Sequence, residues 1–102
     1  MAKRRRPTRS VLQTKVILSN GVIVEMKIWD IFEDERYPDG LKYSLYATFD
    51  GKILVGYDNH HPKGHHRHLG GIEVSYVFSG LDQLKNDFKS DLERQMIREG
   101  LL

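Results

Sequence analysis

Residues Leu41 to Asp58 read L-K-Y-S-L-Y-A-T-F-D-G-K-I-L-V-G-Y-D. Aromatic and aliphatic residues alternate with polar ones on both sides of Asp50-Gly51, which is the pattern of two half-buried strands joined by a tight turn. A loop of Phe49-Asp50-Gly51 puts Tyr43, Leu45 and Ala47 on one face with Ile53, Val55 and Tyr57. Ser44, Tyr46, Thr48 and Lys52 then share the other face with Leu54 and Gly56. Burial of one face is what fixes a strand register, so the cleaner of two pairings is preferred. On this pairing Tyr57 points into the core and Asp58 away from it.

The same test applies upstream. Val11 to Leu18 and Val22 to Trp29 are separated by Ser19-Asn20-Gly21. A three-residue loop pairs Leu18 with Val22, Val16 with Val24, Thr14 with Met26 and Leu12 with Ile28, giving one nearly clean apolar face. It also places Gly21 where a left-handed residue is needed. Asp30 to Gly40 is acidic, ends in Pro38-Asp39-Gly40, and reads as a loop. Downstream, Ile72 to Phe78 alternates as a fifth strand. Ser79 then resembles a helix N-cap, followed by Leu81, Leu84, Phe88, Leu92 and Met96 at helical spacing, with Gly100 as the stop. The expected fold is α+β: an antiparallel sheet of about five strands, two successive hairpins plus one strand, packed against a single C-terminal helix.

The 102 residues suit one domain, with residues 1–10 as a basic flexible tail and 11–102 as the α+β domain. Lys3, Arg4, Arg5, Arg6 and Arg9 fall within the first ten residues. The remainder holds 11 Lys and Arg against 14 Asp and Glu, a balance of −3. Nucleic-acid affinity must therefore come from the tail, from a local patch or from protonated histidines. There are no cysteines, so a disulfide framework is excluded and any metal would use His, Asp or Glu. No apolar run approaches the ~18 residues of a membrane span, and no signal-peptide pattern follows the basic start. The expected location is the cytoplasm, without membrane association.

Every histidine lies between Tyr57 and Gly71, in Y-D-N-H-H-P-K-G-H-H-R-H-L-G-G: His60, His61, His65, His66 and His68. If His66-Arg67-His68 is extended, His66 and His68 project from one side ~6.5 Å apart and Arg67 from the other. Two imidazoles at that spacing can serve as general base and general acid across one phosphate near neutral pH. Lys63 or Arg67 would steady developing charge on a phosphoryl oxygen. These are the requirements of metal-free RNA cleavage, with the 2′-hydroxyl as nucleophile. The same residues also allow a metal reading, with His66, His68 and either Asp58 or His61 around a divalent ion that keeps an open position. The spacing matches no strong zinc signature. A solvated histidine-rich turn is the plainer alternative, and charged clusters are often only structural.

Three features together resemble the TumE-like toxin family of prokaryotic type II toxin–antitoxin modules: Tyr57-Asp58-Asn59, the run Lys63-Gly64-His65-His66-Arg67-His68, and the pair Gly70-Gly71. The segment from Ile72 to Phe88 is similar to that family's strand and C-terminal helix, and the resemblance covers Leu41 to Leu92. The N-terminal hairpin fits in pattern only, and the arginine tail lies outside the resemblance. His65 stands where the family pattern has an acidic residue. The resemblance implies a toxin neutralised by a cognate antitoxin that is usually DNA-binding. Carried onto this chain, it points to Tyr57, Asp58, Asn59, Lys63, Gly64, His66, Arg67 and His68.

The leading expectation is therefore an RNA-directed toxin, a metal-independent ribonuclease. In it His66 and His68 exchange protons, Asp58 orients an imidazole, and Lys63 and Arg67 bind phosphate. Tyr57, Asn59 and Gly64 shape the site, and Arg4, Arg5 and Arg6 add affinity for RNA. No cofactor is expected on this reading. The alternatives are a metal-dependent hydrolase or nucleotide-modifying enzyme at the same segment, and a non-enzymatic partner- or nucleic-acid-binding module. The outer sheet face, expected to expose Ile23, Trp29 and Leu54, would be covered by a homodimer partner or by the antitoxin.

Overall fold

The computed structural model describes residues 8–32 and 34–102. Among them the chain forms six strands and one helix: β1 Arg9–Ile17, β2 Ile23–Asp30, β3 Leu41–Phe49, β4 Lys52–Asp58, β5 His66–Leu69, β6 Ile72–Ser75 and α1 Leu81–Arg98. The strands form one antiparallel meander in sequence order, β1 to β6. This is the expected α+β architecture with one strand more. The additional strand is β5, the histidine segment itself, which Gly70-Gly71 folds back onto β6. Arg4, Arg5 and Arg6 lie outside the described residues. The strand β1 begins at Arg9, within the span read as a tail.

The first hairpin has the expected pairing of Val16 with Val24, Thr14 with Met26 and Leu12 with Ile28. Its loop is Ser19-Asn20-Gly21, closed by Leu18 N–H to the Val22 carbonyl at 2.8 Å, with Gly21 at φ 90°. The second hairpin differs from expectation. Its loop has two residues, Asp50 (φ 51°) and Gly51 (φ 74°), and Phe49 pairs with Lys52. Positive φ at both central residues gives a turn whose twist matches the flanking strands. An irregularity after Thr48 then shifts the pairing to Ala47 with Val55 and Leu45 with Tyr57. The total slip is two residues, so Val55 and Tyr57 keep their face. Ile53 and Leu54 exchange roles: Ile53 is 41% exposed and Leu54 only 6%, the reverse of the sequence reading.

One face of the sheet carries the core. Ile28, Tyr43, Leu45, Ala47, Val55 and Tyr57 pack against Leu84, Phe88, Leu92 and Met96 of α1. Leu84 is fully buried and contributes about 2 kcal/mol by its removal from water. The N-cap of α1 is Gly80, with no side-chain cap bond, rather than Ser79. Gly80 at φ 108° makes a bend that a serine would adopt only with strain. At the other end Gly100 N–H reaches the Ile97 carbonyl (3.1 Å) and Leu101 N–H the Met96 carbonyl (2.7 Å), so Gly100 stops the helix as a Schellman motif. The strand expected over Ile72 to Phe78 ends at Ser75, because its partner β5 is only four residues long. No helix among the described residues is long and apolar enough to cross a membrane.

Candidate functional site on the open sheet face

Strand alternation turns the other half of each strand to the face opposite α1. Register lines those residues up. Lys27 pairs with Ser44, Ser44 with Asp58, and Asp58 with His66. In the next row Tyr46 pairs with Gly56 and Gly56 with His68. The β4–β5 pairing thus delivers Asp58, His66 and His68 to one place. They form one wall of a hollow of about 640 Å³, which Lys27, Trp29, Lys42, Tyr46 and Lys63 also line.

The imidazoles of His66 and His68 lie 5.2 Å apart, edge to face. One ligating atom from each of Asp58, His66 and His68 falls within 4.8 Å of the others. His66 is buried, and both its nitrogens face acceptors. Nδ1 lies 2.9 Å from the Gly64 carbonyl and Nε2 3.1 Å from Asp58 Oδ1. The Gly64 carbonyl can only accept, so Nδ1 carries a proton, and the Asp58 carboxylate stands beside Nε2. The other Asp58 oxygen accepts from the Tyr46 hydroxyl. Burial first, and then the bond to Asp58, push the Tyr46 phenol well above its usual range, so it remains a donor. Tyr46 reaches Asp58 by lying over Gly56, where a Cβ would stand 2.2 Å from the ring. His68 is half-buried beside the Tyr46 ring at 6.0 Å. Lys63 bonds Glu73 at 3.0 Å, and that ammonium holds the Glu73 carboxyl below its usual range.

The sequence-derived candidates do not all meet here. Asp58, His66, His68 and Lys63 do, with His60 and His61 at the rim. Gly64 contributes through its carbonyl. Asn59 is buried beneath the site, where its side chain accepts from Tyr43 N–H (2.9 Å) and donates to the Leu41 carbonyl (2.8 Å). It pins the chain after β4 to the start of β3. Tyr57 lies in the core on the opposite face. Its phenol donates to Asp91 of α1 and is pushed up to about 12, chiefly by burial and then by that bond, with Arg67 opposing.

Arg67 was expected to bind phosphate, but alternation puts it on the helix side. There its Nη1 bonds Asp91 (3.1 Å) and the Tyr57 oxygen (3.2 Å). The bond to Tyr57 is the first cause raising the guanidinium pKa. His65 also faces away from the hollow. Its ring stacks on Phe78 at 4.8 Å, with Nε2 2.7 Å from Asp39 and Nδ1 2.8 Å from the Tyr43 hydroxyl. Sequence reasoning had not assigned Lys27, Lys42, Trp29 or Tyr46 to the site. Their signal was parity: each lies on the face that Asp58 occupies, which becomes informative only once the register is known.

The Y-D-N and H-R-H segments that build this site across β3, β4 and β5 are the ones whose pattern resembles a toxin family. The family described as Toxin TumE matches residues 1–96, and the chain belongs to that family. The match takes in the N-terminal hairpin and the arginine-rich start, well beyond the span from Leu41 to Leu92 that carried the resemblance. Membership implies an antitoxin partner. No curated protein and no solved structure matches the chain.

Proposed function

We propose that the chain is a toxin that cleaves RNA at the open sheet face. The carrying observation is the convergence of Asp58, His66 and His68 within 4.8 Å in a hollow lined by three lysines. The His68 side chain has no hydrogen-bond partner among the described residues, so its imidazole is free to take the proton of an RNA 2′-hydroxyl. The resulting alkoxide attacks the adjacent phosphorus, and the P–O5′ bond breaks. His66, with Asp58 beside its Nε2, acts as the general acid and gives a proton to the departing 5′-oxygen. Asp58 positions His66, and Tyr46 positions Asp58. Lys27 and Lys63, which stand 3.4 Å from Glu25 and 3.0 Å from Glu73, would turn to the phosphoryl oxygens as charge develops on them. Arg67 has no part in this step. A DNA-binding antitoxin is the partner that would neutralise the chain.

A second reading has one observation in its favour. Gly64 accepts from His66 Nδ1, which is how a second sphere orients a metal-bound imidazole, and it leaves Nε2 for an ion shared with Asp58 and His68. Chelation separates the two readings. Induced expression of the wild type should arrest growth and degrade RNA, whereas the His66→Ala/His68→Ala double variant, folded by circular dichroism, should do neither. Degradation undiminished in that variant refutes the histidine mechanism.

A further inference from the structure

Beside the histidine hollow lies a second one, of about 270 Å³, lined by Thr8, Trp29, Ile31, Arg36, Tyr37, Lys42 and His60. Trp29, Lys42 and His60 belong to both, so the two are continuous. Trp29 is an indole on the polar face of a sheet whose core is on the other side, and it is only partly covered. Its cross-strand neighbour is Lys42, whose ammonium stands 5.8 Å from the indole centroid and 5.9 Å from that of Tyr37. Among the described residues no carboxylate pairs with Lys42. The Tyr37 ring is buried and is capped by Arg36 at 5.6 Å. Its oxygen accepts from His61 N–H at 3.3 Å, tying this wall to the histidine loop.

A partly covered indole with an unneutralised ammonium beside it is the equipment of a single-stranded nucleic-acid groove. One group stacks a base and the other meets the neighbouring phosphate. The groove leads from His66 and His68 past Trp29 to Thr8, and the residues immediately before Thr8 in sequence are Lys3-Arg4-Arg5-Arg6-Pro7. We infer that Trp29 is a nucleobase-stacking subsite, with Lys42 holding the adjoining phosphate, for the nucleotide next to the bond cleaved at His66 and His68. This rests on the RNA-cleavage reading and adds to it. The subsite demands an unpaired base, so single-stranded RNA is the substrate class and duplex is excluded.

Trp29 is the chain's single tryptophan, so its fluorescence reports on this position alone. The probe is a short single-stranded oligonucleotide, 2′-O-methylated throughout so that it cannot be cut. Its binding is followed by anisotropy of an end label and by tryptophan emission. The expected result is quenching that saturates with binding, and none from an abasic strand of equal length. Trp29→Ala should weaken the base-bearing strand about tenfold and the abasic strand less than twofold. Binding without quenching, or equal losses for the two strands, overturns the subsite and leaves RNA cleavage standing. No binding by wild type, together with intact cellular RNA on induction, overturns both. The quenching arm needs only the wild-type protein, so a Trp29→Ala variant that failed to fold would not remove the test.

Discussion

The two faces of this sheet use the same residue types for opposite ends. On the helix side a cation, a phenol and a carboxylate (Arg67, Tyr57 and Asp91) bond one another in a part-buried knot that ties β4 and β5 to α1 and leaves Arg67 Nε without a partner among the described residues. On the open side a phenol, a carboxylate and an imidazole (Tyr46, Asp58 and His66) form a similar chain, but it ends at His68 in a hollow walled by lysines. The triplet His66-Arg67-His68 contributes to both, since strand alternation sends its middle residue one way and its flanks the other. A charged cluster in a sequence is thus not one unit of function. Parity divides it.

If the division is right, substitutions on the two faces should separate activity from stability. The largest effect belongs to the open face. His68→Ala should lower RNA cleavage by about 10²–10⁴-fold, the usual contribution of general acid–base catalysis, while leaving the urea midpoint unchanged. Cleavage is read on a labelled oligonucleotide and the midpoint by circular dichroism. Next is Asp91→Ala on the covered face, which removes the carboxylate that both Arg67 and the Tyr57 hydroxyl donate to and leaves only the bond between those two. It should cost about 2–3 kcal/mol of stability, less than a fully buried pair would because the Arg67 side chain is 33% exposed. The protein that remains folded should cleave normally.

Gly56→Ala sharpens the comparison, because the Cβ that Gly56 lacks would point to the open face, against Tyr46. Its new Cβ would drive the Tyr46 ring off Asp58, at about 1–3 kcal/mol of overpacking. Activity should fall by more than the folded fraction does, and activity unaffected at full folding would remove Tyr46 from the site. The smallest effect is alkaline. The Tyr57 phenol has an ordinary value of 10.0 and is raised to about 12 in the folded chain. Between those values the folded state holds a proton that the unfolded state has lost, so stability falls as pH rises from 10 towards 12 and is unaffected below. Tyr57→Phe should lose that part of the decline in a pH series of denaturation midpoints.

Much of this division was legible in the sequence. The first hairpin's register followed from the need to bury one face, and the placing of Tyr57 inward and Asp58 outward survived a two-residue slip because faces repeat every two residues. What failed was what needed a turn type or a partner. Asp50 takes a left-handed conformation unusual for a side chain, and the strand irregularity it accompanies exchanges Ile53 and Leu54. The length of β6 depends on β5, which periodicity over four residues does not reveal. Lys27 is separated from the histidine strand by two strands and Lys42 by one, so both come beside the histidines only through the pairings between. Nothing local marks them, whereas His66 and His68 stood out because every imidazole of the chain lies between His60 and His68.

The central claim is that imidazoles, not an ion, move the protons at the open face. Its most direct test is RNA cleavage by protein purified without a histidine tag and dialysed against excess chelator, with metal content measured beforehand. The account predicts undiminished cleavage that leaves 2′,3′-cyclic phosphate ends and vanishes in His66→Ala/His68→Ala. Cleavage that stops on chelation and returns with one equivalent of a divalent ion would contradict it.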